Sequence, residues 1–280
     1  MTTPEQNIQF SCSKCSTILK EAVSPDRPHD ICQECPTCGS QLSETLQREP
    51  KKQRSSSLHI PFQTAYQINA CLGLGIKEID SFLTLRLGDR LCVVGDHANL
   101  LVARLCVRAF MPIKQGGLTA GSIVFLDAGN SSDVYQCASF VRQFGLEIHR
   151  VLRGIVVSRA FTIHQLAGLV AYELPKAIRE FNSRIVVISD LLRMFTEDPL
   201  VSRKEASYLI GEIMEAVHKM DGVLLVMSLR GGSQYDSQIL PSFAKQIEMT
   251  KTKQLDIMLH DGRESKSVSM PEKELYVASG

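Results

Sequence analysis

Net charge is almost absent from this chain: 31 Lys and Arg stand against 30 Asp and Glu, a balance of +1 over 280 residues. No global positive field draws a polyanion in, so any nucleic-acid contact must come from local patches. No stretch approaches the roughly 20 apolar residues needed to cross a bilayer, so no membrane association is expected. Met1–Gln9 also lacks the apolar stretch of a secretion signal. These absences argue against membrane and secreted classes. They point to an intracellular protein of the cytoplasm and nucleoid, or of the nucleus in a eukaryotic host.

What is present supports one sizeable core with a small appendage: 44% of the residues are apolar. Nine cysteines fall into two groups. Four are scattered through apolar segments and read as buried thiols. The others include Cys12, Cys15, Cys35 and Cys38, in the spacing C-x2-C-x19-C-x2-C of a structural zinc site, with Cys32 a spare at C-x2-C distance from Cys35. Each C-x2-C turn aims two thiolates at one ion, and Gly39 permits the tight backbone after the second pair. Four thiolates complete the tetrahedron and leave no place for a reactive water, so the expected zinc is structural. A ribbon of about 35 residues, placed at 8–43, is too small to fold without that metal. Residues 44–60 then read as a polar linker, in which Lys51, Lys52 and Arg54 beside Arg48 are candidate contacts to a phosphate backbone.

From Ser81 the pattern changes to short apolar runs separated by helical periods. Strands are predicted at Leu91–Gly95, Ser122–Asp127, Gly154–Ser158, Arg184–Asp190 and Gly222–Ser228, each apolar enough to be buried on both faces of a parallel sheet. Helices are predicted at Asn99–Phe110, Asp133–Phe144, Ile163–Leu174 and Ser202–Met220. Leu255–His260, the turn Asp261-Gly262 and Lys266–Met270 predict a hairpin near the end. The alternation predicts an α/β class: a doubly wound, mostly parallel sheet with a C-terminal β-hairpin.

Such sheets bind ligands at the carboxyl ends of their strands. The first strand-to-helix loop reads Gly95-Asp96-His97-Ala98-Asn99-Leu100-Leu101-Val102. In a phosphate loop, G-x4-G-K-[ST], backbone amides cradle phosphates, the lysine neutralises them and the hydroxyl holds magnesium. Here Leu100, Leu101 and Val102 stand in the Gly, Lys and Ser/Thr places, only Gly95 is kept, and Asp96 adds an anion. ATP is not expected to be held or hydrolysed.

The order of elements resembles the RecA/RadA recombinase superfamily, particularly its archaeal and eukaryotic branch. Gly75-Ile-Lys-Glu-Ile-Asp80 is similar to that family's G-x-x-E-L-D lead-in, and Ser158-Arg-Ala-Phe161 with His164-Gln165 to its A-R-A-F segment. Ile185–Ile188 with Ser189-Asp190 resembles its Walker B strand, placing Asp190 where a magnesium-coordinating aspartate sits. Phe62-Gln-Thr-Ala65 resembles the F-x-x-A motif through which one protomer docks on another. Zinc ribbons precede the core in the bacterial Sms branch, but its K-N-R-F-G segment is missing. The resemblance implies a RecA-like core over 61–280 with an N-terminal docking strand.

The departures matter equally. No glutamate follows the second core strand, which ends Asp127-Ala-Gly-Asn130, and Met227-Ser-Leu229 replaces the polar residue expected after the fifth. By resemblance, single-stranded DNA would meet Arg193–Arg203 and Arg230–Leu240, making Arg193, Arg203 and Arg230 candidate contacts, with Lys204 beside them and Tyr235 available to stack on a base. The expected function is that of a catalytically inactive recombinase paralogue, accessory or regulatory in homologous recombination and repair. It would dock through Phe62 and Ala65 on a recombinase-family protein or on itself, with single-stranded DNA as a further partner. The competing readings are an ATP-dependent enzyme borrowing its cation from a neighbouring protomer and a RecA-like scaffold or signalling module with no DNA role.

Overall fold

The computed structural model describes residues 70–277, together with the backbone of 6–11 and 18–23. The chain forms two compact units, Met1–Pro61 and Phe62–Gly280. In the first, β1 (Gln6–Ser11) and β2 (Ile18–Val23) pair antiparallel in the register Gln6↔Val23 to Ser11↔Ile18. Cys12, Cys15, Cys35 and Cys38, like Lys51, Lys52, Arg54, Phe62 and Ala65, lie outside the described residues.

The second unit is an α/β fold built on an eight-stranded sheet in the order β10-β9-β8-β3-β7-β6-β4-β5. β3 (Arg90–Gly95), β4 (Ile123–Asp127), β5 (Ile155–Arg159), β6 (Ile185–Ser189), β7 (Leu224–Leu229) and β8 (Lys245–Lys251) run parallel. β9 (Leu255–Asp261) and β10 (Ser265–Met270) add the antiparallel hairpin. Alternate residues of the central strands feed two cores. Leu91, Val93, Val187 and Val226 face α1 (Lys77–Asp80), α2 (Ala98–Ala109) and α3 (Val134–Gln143). Cys92, Val186, Ile188 and Met227 lie in the opposite core, with α5 (Ile163–Gly168) and α8 (Arg203–His218).

Side-chain caps explain where several helices start. Asp133 accepts the amides of Tyr135 and Gln136, Thr162 that of Gln165, and Ser202 that of Glu205. Glu147 does the same for α4 (Ile148–Gly154), a helix that the sequence patterns did not predict. The helix expected to end at Leu174 instead widens into a π-turn at Leu169–Glu173 and continues as α6 (Leu174–Glu180). Pro175, at the start of α6, has no amide to bond the preceding turn, and the wider turn makes room for its ring. The strand at Gly154–Ser158 was expected to be buried on both faces. β5 is in fact an edge strand, paired only with β4, and Val157 is exposed. β8 was not predicted because it has only two apolar residues, Ile247 and Met249, which alternate with polar Gln246, Glu248 and Thr250.

The lead-in to the sheet is fixed by buried arginines. Asp80 turns back to accept the amides of Leu74 and Gly75 at 2.6 and 2.8 Å. On α2, Arg104 donates to the carbonyls of Leu74, Gly75, Leu275 and Val277, and Arg108 to those of Gly73 and Gln115. Phe140 and Phe144 cover the Arg104 guanidinium at 5.7 and 5.4 Å. Burial, with the nearby charge of Arg108, pulls the pKa of Arg104 down to about 10. Gly75 has φ +69, and a Cβ there would strike Arg108. Among the scattered cysteines, Cys92 and Cys106 are buried, and burial pushes the Cys137 thiol up to about 11.

Candidate functional site

The carboxyl ends of β3, β4, β6 and β7 converge, and the loop Gly95–Val102 lies among them. Gly95 has φ +115, and a Cβ on it would lie 2.0 Å from the Met249 carbonyl of β8. Its glycine is therefore demanded by the neighbouring strand. Leu101 and Val102 are each 1% exposed and packed in the first core, with Leu100 against it. His97 caps the start of α2 without a side-chain cap bond. Its Nε2 lies 3.3 Å from Glu272, out of line for a hydrogen bond, while Lys251 holds the other Glu272 oxygen at 2.7 Å.

Asp127, at the end of β4, is fully buried. It accepts from the Ser131 and Ser132 amides and from the Ser132 and Ser189 hydroxyls, with Arg159 Nε 3.3 Å away. Burial pushes its pKa up, but the Ser132 hydroxyl, the two amides and Ser189 outweigh that and leave it below the ordinary carboxylate value.

Asp190, at the end of β6, adopts φ +52 and is 2% exposed at its side chain. Its amide donates to Ser228 Oγ at 2.9 Å, Ser228 donates to Asn99 Oδ1 at 2.6 Å, and Asn99 Nδ2 donates to Ser131 Oγ at 2.8 Å. This chain ties β6, β7, the start of α2 and the loop after β4 together. A Cβ on Gly129 would fall 2.5 Å from Asp190 Cβ, so no glutamate fits at that position.

The charge opposite Asp190 comes from the protein itself. Arg230 Nε, just after β7, lies 3.1 Å from Asp190 Oδ2, and its Nη1 lies 3.1 Å from Glu197 Oε1. The other Glu197 oxygen accepts from Arg193 Nε at 2.8 Å, and Arg193 Nη1 donates to the Gly129 carbonyl at 2.9 Å. Two of the arginines expected as DNA contacts, Arg193 and Arg230, are thus drawn into one network across α7 (Arg193–Glu197) and the loop after β7. Arg203 and Lys204 open α8 and are exposed. Tyr235 corrects the expectation that it stacks on a base: it is 4% exposed and packed in the second core.

These residues do not fit a magnesium nucleotide. Leu101 and Val102, which by the resemblance take the lysine and hydroxyl places, are core aliphatics, and Asp190, which by the same resemblance takes the magnesium position, already has the Arg230 guanidinium as partner. Among the described residues no three His, Cys, Asp or Glu side chains gather as a metal site. Asp190, Asn99, Ser228 and Arg159 all lie within the motifs quoted from the sequence, but their pairings, and that of Glu197 with both arginines, were not foreseen, because these contacts join distant segments. The one signal in the sequence was the clustering of polar residues just after apolar strands.

Residues 90–220 match the Rad51 family model. That stretch runs from β3 to just past α8 and contains Asp127, Asp190 and the loop Gly95–Val102. With the sheet order and the site at the strand ends, the match supports a relationship to the RecA/Rad51 recombinase superfamily. Within the matched stretch the aspartates at the strand ends are surrounded by hydrogen bonds and cations that the chain itself supplies.

Proposed function

We propose that this chain is a Rad51-like accessory subunit of homologous recombination and DNA repair that does not hydrolyse ATP. The observation carrying this reading is the ion pair between Asp190 and Arg230 beside a loop whose Leu101 and Val102 belong to the core. In this reading, Arg230, a charge built into the chain, takes the place of an exchangeable cation beside Asp190. The function left to such a subunit is binding, to an active recombinase through the strand containing Phe62 and Ala65, and to DNA through local basic residues. The four N-terminal cysteines hold a structural zinc in this reading, and no described helix is long and apolar enough to cross a membrane.

Two measurements on the zinc-loaded full chain test the proposal. Calorimetric titration with ATP, with and without magnesium, is expected to show no binding at millimolar nucleotide. Tight magnesium-dependent binding would return the chain to the enzymes. Capture on a purified active recombinase is expected to be lost on Phe62→Ala with thermal unfolding unchanged, and equal capture removes the docking role.

A further inference from the structure

We propose that Arg193 and Arg230 form one phosphate-binding fork and that Glu197 is its internal mask. The proposal rests on the reading that the loops after β6 and β7 meet DNA, and it adds how that contact is regulated.

The geometry is that of a bound oxyanion. Each guanidinium meets a different oxygen of one carboxylate: Arg193 Nε takes Oε2 at 2.8 Å and Arg230 Nη1 takes Oε1 at 3.1 Å. Two non-bridging phosphate oxygens satisfy the same pair of donors, and arginine is suited to such planar recognition. Glu197 is the stand-in for that phosphate, supplied by the chain.

The fork is prepared for exchange. Its back is anchored without Glu197, since Arg193 also donates to the Gly129 carbonyl and Arg230 also meets buried Asp190. The guanidiniums therefore keep their places when the carboxylate leaves. Its front is open: the Glu197 side chain is 52% exposed, and exposed bridges hold weakly because water and salt compete with them. Glu197 also ends α7, so its side chain can swing away without unwinding more than one turn. A chain with a net charge of only +1 draws polyanions weakly, so a tethered competitor at the fork keeps it closed until a phosphate chain supplies several contacts at once.

The test uses the full chain and two probes: a fluorescent oligothymidine followed by anisotropy, and inorganic pyrophosphate followed by calorimetry. Glu197→Gln keeps the side-chain shape and removes the competing charge. It is expected to tighten oligothymidine binding about fivefold. Glu215→Gln, which frees a comparable exposed pair with Lys219 on α8, controls for net charge and is expected to leave binding unchanged. Arg193→Ala combined with Glu197→Gln is expected to abolish the gain. If Glu197→Gln binds neither probe more tightly than the parent, or gains no more than Glu215→Gln, there is no mask. Tighter pyrophosphate binding without oligothymidine binding supports the fork while overturning the DNA reading beneath it.

Discussion

Arg230 Nε lies 3.1 Å from Asp190 Oδ2, and the two partners differ sharply in exposure, at 54% and 2% of their side chains. The aspartate is buried in a left-handed conformation at the end of β6, and the arginine reaches it from outside after β7. A buried carboxylate is tolerated only when paired and hydrogen-bonded, so the loop after β7 is bound to the site by that requirement.

Arg230→Ala therefore leaves Asp190 buried without its cation. The expected loss is about 1–2 kcal/mol, below that of a fully buried pair because water reaches Arg230. In Arg230→Ala/Asp190→Asn the loss is expected to be smaller than the sum of the single losses. Urea unfolding of the four proteins gives the coupling energy, and strict additivity would show that the pair does not stabilise the fold.

Leu101→Lys recreates the lysine of a phosphate loop, but in a position that is 1% exposed and surrounded by aliphatic side chains. The ammonium would have to be buried, or the start of α2 to open. We expect a loss of about 3 kcal/mol or more with no gain in ATP binding. A stable Leu101→Lys protein that binds ATP would show that the loop can still reshape into a cradle.

The fold was largely legible because strands such as Ile185–Ile188 are continuous apolar runs, and a parallel sheet buried on both faces requires such runs. β8 hid because only Ile247 and Met249 are apolar, alternating with polar residues, and α4 depended on a glutamate cap in a segment of weak periodicity. The apolar character of Leu100, Leu101 and Val102 could be read from their residue types. The pairing of Arg230 with Asp190 could not, because Arg230 lies 40 residues beyond Asp190 and nothing local in the sequence pairs them.

Asp127 gives the fold a pH dependence of definite sign. Its carboxyl sits below the ordinary value of 3.8, so its stabilisation is complete above that pH and is lost as the pH falls through the lower folded value. Asp127→Asn should lower stability at pH 7 by about 2 kcal/mol, since an amide cannot satisfy all the donors that converge there. The deficit should shrink below pH 4. Urea midpoints across this range decide the matter, and a pH-independent deficit would assign the effect to packing.

Arg104 tests whether the C-terminal turn is held by hydrogen bonding or by burial. Its guanidinium is fully buried and joins the carbonyls of Leu74 and Gly75 to those of Leu275 and Val277. Leu275 is itself buried in the first core. Lysine keeps the charge and most of the length, but a single ammonium cannot span both pairs of carbonyls. Arg104→Lys is therefore expected to cost about 3 kcal/mol, with faster amide exchange at 73–75 and at 272–277 together. Faster exchange at 73–75 alone would mean that Leu275 anchors the turn unaided. Faster exchange in both segments would make Arg104 the link between the entry to the sheet and the segment that places Glu272 beside His97 at the altered loop.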